Sequence, residues 1–326
     1  MQKKYKALII GAGRIASGFD NPKNPLVLTH AHAYYLQKKI HTFGFYDTDN
    51  IKANIEAKKW SVSAYKTLEE ALRILKPEII SICTPDFDHF KTIEKVLMSE
   101  HKPGIIICEK PLTFKVEDNK KLSKLLNKHG IKILVDHTRR FDKDVQKISK
   151  NLHDGKYGSV ISASAHYGKG VVHNGTHIID LARYFFGEVK DLKVLYSHKD
   201  FQNQTDQTVS AYMVFESCPQ FFLIAGNEKY YSYFQFEILC EKRKICFYDL
   251  GFSVLEQEVI NDPIYPGYTI LGKSKSRKTN FDFAMMNLVE NAINHIEKDE
   301  PLICDSSDAC KTQSLCLRLQ SQSLKL

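Results

Sequence analysis

The sequence predicts an α/β protein in two parts: a doubly wound parallel sheet over residues 1–137, then an α+β part over residues 138–326 with a large, mainly antiparallel open sheet. Three observations carry this. Up to about residue 137, six short apolar runs ("YKALIIGAG", "HTFGFYD", "SVSAY", "EIISICTP", "GIIICEK", "IKILVDH") are separated mostly by amphipathic helical patterns such as "TLEEALRIL" and "HFKTIEKVLMSE". Most of these runs are continuous Val/Ile/Leu stretches without alternation, the mark of parallel strands covered on both faces. Beyond residue 138 the runs follow one another with little helix between them, and several alternate in period two, as Val209, Ala211, Met213 and Phe215 do.

The first run ends in "GAGRIA", with Gly11, Gly13 and Ala16 in a G-x-G-x-x-G/A pattern. The first glycine allows a tight turn, the second lets a pyrophosphate approach the backbone, and a small third residue permits close helix packing. This makes Gly11, Gly13, Arg14, Ile15 and Ala16 candidate cofactor residues, with phosphates expected at a helix N-terminus. A purely structural glycine turn is the other reading. The second run ends in Asp47, which suits the ribose hydroxyls of an adenosine. It comes about a dozen residues later than the usual spacing of roughly 20. The segment "SGFDNPKNPLVLT" accounts for the delay as an inserted loop, whose Asp20 and Asn21 either reach the cofactor or substrate or belong to a surface loop. No arginine follows Asp47 directly, so NAD is favoured and NADP stays possible.

The fourth run leads into "TPDFDHF". Ligands collect at the carboxyl edge of an open α/β sheet, which puts Thr84, Pro85 and His89 beside a nicotinamide ribose; His89 reads equally as an ordinary first-turn helix histidine. The fifth run ends abruptly in Glu109, Lys110 and Pro111. Strands often end in charges that simply reach solvent, but Lys110 falls on the same edge. A lysine beside an oxidised nicotinamide has its pKa lowered and can exchange a proton with a hydroxyl or carbonyl. Pro111 fixes the backbone there, by a cis bond if any residue does.

In the second part, "NGTHIIDLARYFFGE" precedes the antiparallel strands and "FDFAMMNLVENAINHIEKD" follows them, so helices pack one face of that sheet. No internal repeat or low-complexity linker is visible.

The composition is that of a soluble globular protein: 326 residues, 43% hydrophobic. No signal-type stretch precedes the first strand, and no apolar run approaches the roughly 18 residues of a membrane span; a cytoplasmic location is expected. Eight cysteines form no C-x-x-C pair, so neither disulfides nor a metal site is indicated. The net charge of +8 is spread over helical segments with interleaved acids, which argues against nucleic acid and only mildly for an anionic small substrate.

The T-P-x-x-x-H of residues 84–89 and the E-K-P of 109–111, downstream of "GAGRIA" and followed by "VDHTRRFDKDVQKI" and "HNGTHIIDLARYFFGE", resemble the glucose-fructose oxidoreductase, inositol dehydrogenase and MocA (Gfo/Idh/MocA) family over essentially the whole chain. The resemblance implies a Rossmann domain and a second domain whose open sheet often forms the interface of a homodimer or homotetramer. It implies NAD(P)-dependent oxidation or reduction of a hydroxyl-bearing carbon in a sugar, cyclitol or nucleotide sugar. By the same resemblance Glu109 and Lys110 lie at the cofactor, Lys110 is an acid/base or substrate-orienting group, and His177, with Asp180 three residues on, completes the catalytic pair on a substrate-site helix that also carries Thr176. Many members have an aspartate where this chain has His173; with Asn174 beside it, this suits a polar or anionic substrate. Arg140, with Arg139, is either an anion contact at the cleft or an exposed-turn arginine.

The expectation is therefore an NAD(H)-dependent oxidoreductase acting on a sugar derivative, nucleotide-linked or an acidic amino sugar, with Lys110 and His177 handling the proton. Two readings stay beside it: elimination or epimerisation on bound NAD without net redox change, and a non-catalytic NAD-binding regulator.

Overall fold

The computed structural model describes residues 3–324 apart from 114, 201 and 202. Its contacts divide the chain into two units, Met1–Phe141 with Asp282–Lys311, and Asp142–Phe281 with Thr312–Leu326.

The first unit begins β1 (Tyr5–Ile10), α1 (His30–Leu36), β2 (Ile40–Tyr46), α2 (Asn50–Trp60), β3 (Ser63–Tyr65), α3 (Leu68–Leu75), β4 (Ile79–Ile82), α4 (His89–Met98), β5 (Ile105–Glu109), α5 (Val116–His129) and β6 (Lys132–Asp136). The six strands are parallel, in the order β3-β2-β1-β4-β5-β6. Every residue of β4 and β5 is buried, which is why their sequences are hydrophobic apart from Ser81 and Glu109, two polar groups that find partners inside. Helix starts are set by side chains that take up orphan N–H groups: Thr29 for α1, Asp49 for α2, Thr67 for α3. One row of register partners, Tyr65, Tyr46, Ile10, Ile82, Cys108 and Val135, crosses the whole sheet. The next residue of each strand therefore emerges at a common carboxyl edge.

One expectation is corrected. The helix N-terminus expected at the glycine turn is a single π-helical turn, Arg14–Gly18; the inserted loop follows it, and α1 starts at His30, where the helical pattern resumes. The inserted loop folds back on itself because Asp20, 5% exposed, accepts from the Leu28 and Asn21 backbone N–H groups and lies 2.9 Å from His32 Nδ1. Ser17 is held in turn by the indole N–H of Trp60 at 2.6 Å. The loop is thus tied to α1 and α2, and Asp20 is consumed in tying it.

The second unit contains α6 (Lys143–His153), β7 (Val160–Tyr167), α7 (Gly175–Phe186), β8 (Val189–Asp200), β9 (Asn203–Phe215), β10 (Phe221–Ala225), β11 (Phe234–Cys240), β12 (Arg243–Tyr248), β13 (Ser253–Asn261), β14 (Thr269–Leu271) and β15 (Lys275–Lys278). They form one mainly antiparallel sheet, β14-β13-β12-β11-β7-β10-β9-β8, with β15 paired to β13 and a parallel pair at β7 and β10. Val209, Ala211, Met213 and Phe215 of β9 are buried, as their alternation implies. They join a core in which Phe185 and Phe186 of α7 pack on Phe221, Phe236 and Phe247. On other sheet positions Ile161, Tyr196 and Phe222 are exposed.

The chain then returns to the first unit in α8 (Ala284–Lys298) and enters α9 (Ser306–Ser323). A single cut near residue 137 does not describe this division, because α8 buries Met285, Leu288, Val289 and Ile293 and is tied to the first unit by Asn287 donating to the Phe141 carbonyl and by a Lys39–Glu297 ion pair of 2.6 Å. The Val135 N–H also donates to the Cys304 carbonyl. Among the described residues the cysteines are free and no helix is long and apolar enough to cross a membrane.

Candidate active site

At the carboxyl edge of the first unit's sheet, Gly11, Asp47, Cys83, Glu109 and Asp136 each follow or end a strand within one residue of the common register row. Strand order reverses between β1 and β4, the point where open α/β sheets bind ligands. A cleft of about 530 Å3 opens there, lined among others by Gly11, Gly13, Asp47, Lys52, Thr84 and Pro85. Gly11 sits at φ +96°, and a Cβ there would lie 2.6 Å from the Cys83 carbonyl oxygen; only glycine fits. A Cβ at Gly13 would meet nothing within 4 Å, so the space beside the turn is open. Asp47 accepts from Ala12 N at 2.6 Å and Asp49 N at 2.8 Å, holding the glycine turn while its carboxylate faces the cleft. Thr84 Oγ1 is buried with no hydrogen-bond partner among the described residues. An open backbone turn, a carboxylate and an unpartnered hydroxyl along one cleft fit a dinucleotide.

Lys110 follows β5, half-buried, and its peptide bond to Pro111 is cis. Its ammonium is pushed below the ordinary lysine range, chiefly by burial, against which Glu109, Asp136 and Asp86 pull upward while Arg139 depresses it further. Glu109 and Asp136 are register partners on adjacent strands, so their side chains share a sheet face. His30 Nε2 lies 3.1 Å from Glu109 Oε1 and 3.8 Å from Asp136 Oδ2. Burial raises Glu109 to about 7 and Asp136 to about 8, the latter also because Glu109 is a like charge. His30 is lowered by burial, with Asp136 opposing, and is the neutral ring of the cluster.

His89 is 1% exposed. Its Nδ1 lies 2.7 Å from the Pro111 carbonyl and its Nε2 2.9 Å from the Thr84 carbonyl. Both neighbours are carbonyl acceptors, so the neutral ring donates to one of them and only the imidazolium donates to both; His89 lies between the ends of β4 and β5. Burial lowers its pKa despite the two carbonyls.

In the second unit, the segment before α7 makes a π-helical turn, Gly170–Asn174. His173 is exposed, Asn174 and His177 are half-buried, and Thr176 and Asp180 are buried. Two carboxylates hold this segment. Asp206 Oδ1 accepts from Val172 N at 3.0 Å and Oδ2 from His173 N at 2.7 Å; Asp200 accepts from Lys169 N, Glu228 N and the Thr208 hydroxyl. Thr208 Oγ1 in turn accepts from Gly170 N at 2.8 Å. Asp180 Oδ1 accepts from the Thr312 hydroxyl, which accepts from Arg183.

Residues 5–137 match the family model described as "Oxidoreductase family, NAD-binding Rossmann fold", and residues 151–246 match the "GFO/IDH/MocA C-terminal domain". The chain belongs to the Gfo/Idh/MocA oxidoreductase family. Over 202 residues it is 24% identical to D-glucoside 3-dehydrogenase of Escherichia coli, covering 56% of this chain and 54% of that protein; the chain spans about half the length of this relative. Two solved structures share the fold over nearly the whole chain. One is a putative NADPH-dependent oxidoreductase from Desulfitobacterium hafniense, with TM-score 0.81, 16% identity and coverage of 100% and 97%. The other is the UDP-N-acetylglucosamine 3-dehydrogenase GnnA from Acidithiobacillus ferrooxidans, with TM-score 0.74, 16% identity and coverage of 98% and 97%.

Within this Gfo/Idh/MocA chain the structure sorts the sequence candidates. Gly11, Gly13, Asp47, Thr84 and Pro85 line one cleft. Arg14, Ile15 and Ala16 follow in the π-turn, where Ala16 is fully buried and the Arg14 guanidinium lies over the Phe19 ring. Glu109, expected at the cofactor, places a carboxyl oxygen beside His30. Arg140, expected as an anion contact, is 3% exposed and donates to Asp308 at 2.9 Å and to the Ile303 carbonyl; its charge is neutralised inside the first unit. Three residues escaped sequence reasoning: His30, Asp136 and Asp206. Asp136 carried a usable signal, a charge ending the last strand of "IKILVDH". His30 carried none, since the inserted loop displaces it from the glycine turn.

Proposed function

We propose that the protein is an NAD(H)-dependent dehydrogenase that interconverts a hydroxyl and a ketone on a sugar derivative, nucleotide-linked or an acidic amino sugar. The observation that carries this is one sheet edge combining an open glycine turn, a cleft-lining carboxylate at Asp47 and a lysine whose pKa is held down by burial. Similarity to proteins named as a D-glucoside 3-dehydrogenase and a UDP-N-acetylglucosamine 3-dehydrogenase supports the sugar class.

Gly11, Gly13 and the π-turn take the pyrophosphate, Asp47 the adenosine ribose, and Thr84 with Pro85 the nicotinamide side. The bound dinucleotide supplies the hydride acceptor or donor. In oxidation, the neutral Lys110 amine would take the hydroxyl proton and become ammonium as the carbon–hydrogen bond breaks, its hydride going to the acceptor the dinucleotide would supply, and the carbonyl forms; reduction would run the same transfer backwards. His177 assists at the substrate oxygen, while His173, Asn174 and Thr176 give the substrate polar contacts. Asp180, engaged by Thr312, orients the helix that carries them. We assign the oligomer, a homodimer or homotetramer, to the sheet positions where Ile161, Tyr196 and Phe222 are exposed.

Titration with NADH and NADPH, followed by nicotinamide fluorescence, tests the cofactor half: tighter NADH binding is expected, and stronger NADPH binding overturns the role of Asp47. Lys110→Met should cut turnover by about a thousandfold or more while NADH still binds. Near-native turnover in that variant ends the proposed role of Lys110. Product formation that needs bound NAD but leaves its redox state unchanged would replace the dehydrogenase with a transient-oxidation lyase or epimerase.

A further inference from the structure

Behind Lys110 runs a continuous buried chain of polar groups. Tyr34 Oη lies 2.5 Å from Ser81 Oγ, Ser81 Oγ 2.9 Å from His30 Nδ1, and His30 Nε2 3.1 Å from Glu109 Oε1. The exposure of Tyr34, Ser81, His30 and Asp136 is 1% or less, and that of Glu109 is 8%. The directions are constrained. A carboxylate only accepts, so His30 donates from Nε2 to Glu109; its Nδ1 then accepts from Ser81, and Ser81 accepts from Tyr34. This leaves His30 neutral and the chain without a second proton to give.

The two carboxyl groups are register partners on β5 and β6 and each brings an oxygen into a 4.8 Å cluster with His30, and the Thr138 hydroxyl lies beside Asp136. Two carboxylates so close and so buried cannot both stay ionised. We propose that Glu109, Asp136 and His30 form a positioning unit in which the two carboxyl groups share one proton, and the single negative charge left on them anchors the Lys110 ammonium at the cofactor edge. The charges then balance: a neutral imidazole, one carboxylate charge, one ammonium. Burial raises both carboxyl pKa values, consistent with a retained proton. The other groups facing the pair are the Cys83 and Cys108 thiols, both pushed well above their ordinary range. Lys110 also faces Asp86, Arg139 and His89.

The functional weight of this unit rests on the reading of Lys110 as the proton-exchanging group, because a lysine that must cycle between amine and ammonium needs a fixed counter-charge of one. The test is separable from that reading. Competitive acetylation of Lys110 with acetic anhydride, followed by mass spectrometry across pH, reports its ionisation without any substrate. Removing one carboxyl, as in Glu109→Gln or Asp136→Asn, frees the other to ionise, so either single variant keeps the Lys110 profile near that of the native protein. The double variant removes the charge and shifts the profile down by about one pH unit or more. A shift in each single variant would mean two independent carboxylates, and no shift in the double variant would mean no anchoring; either overturns the proposal. If the variants do not fold, infrared spectra of the native protein decide it: a protonated-carboxyl band at neutral pH, lost on alkalinisation, is required, and its absence overturns the shared proton. Turnover in Lys110→Met would remove the role of the lysine and leave these measurements as decisive for the unit as before.

Discussion

The carboxylate of Asp206 occupies the space that a side chain at Gly170 would need, and the same carboxylate accepts the backbone N–H groups of Val172 and His173. A glycine at φ +83° and a buried acid on β9 are therefore one device. Together they fix the turn that presents His173 and Asn174.

Replacing Asp206 with alanine leaves two N–H groups without their acceptor. The expected loss is about 2–4 kcal/mol, with Asp206→Asn losing less because it keeps one acceptor oxygen. Urea unfolding measures it. NADH binding, which belongs to the first unit, should be unchanged; a parallel loss of NADH affinity would show that the turn is not acting locally.

The two glycines of the first turn should separate stability from binding. Gly11→Ala meets the Cys83 carbonyl at 2.6 Å from a positive φ and is expected to cost about 2 kcal/mol or more. Gly13→Ala meets nothing, so stability should stay within about 0.5 kcal/mol while NADH affinity drops by about tenfold or more, because the added methyl stands where the pyrophosphate approaches. Thermal unfolding and fluorescence titration read the two effects. Equal losses of stability in both variants would contradict the open space at Gly13.

The buried carboxyl pair gives stability a pH dependence of known sign. Both groups are raised in the folded protein, to about 7 for Glu109 and about 8 for Asp136, from about 4 when unfolded. Each proton held by the folded state thus contributes stability that is full below about pH 4 and is lost as pH rises through that group's folded value, at up to about 1.4 kcal/mol per pH unit for each group. The stability of the native protein relative to Asp136→Asn should therefore fall between about pH 5 and pH 8. Urea midpoints at several pH values check it, and a difference that grows with pH refutes the raised values.

Much of the first unit was legible because its signals are local. Continuous apolar runs identify buried strands, Thr29, Asp49 and Thr67 start the helices they precede, and Gly11 is the residue its backbone angle demands. The cofactor edge followed because parallel strands place every carboxyl end on one side. The inserted loop was legible from its prolines and asparagines, whereas the π-helical form of the glycine turn, and the contact between Asp20 and His32, 12 positions apart, that folds the loop back on itself, were not. Arg140 looked available because an exposed turn and a buried ion pair have the same local sequence; Asp308, 168 positions away, decides between them.

By itself, then, the sequence determined the two-part α/β architecture, the family, the glycine turn with Asp47, and the placing of Lys110 at a strand end. Only the tertiary structure decided what surrounds those groups: that Glu109 turns to His30, 79 positions away, that Asp136 lies beside it, that His89 lies between two carbonyls, and that Asp206 holds a turn 33 positions distant. The physical reason is that strands and turns are set by near neighbours along the chain, whereas burial, charge pairing and the protonation they impose depend on which distant segments the fold brings within a few ångströms.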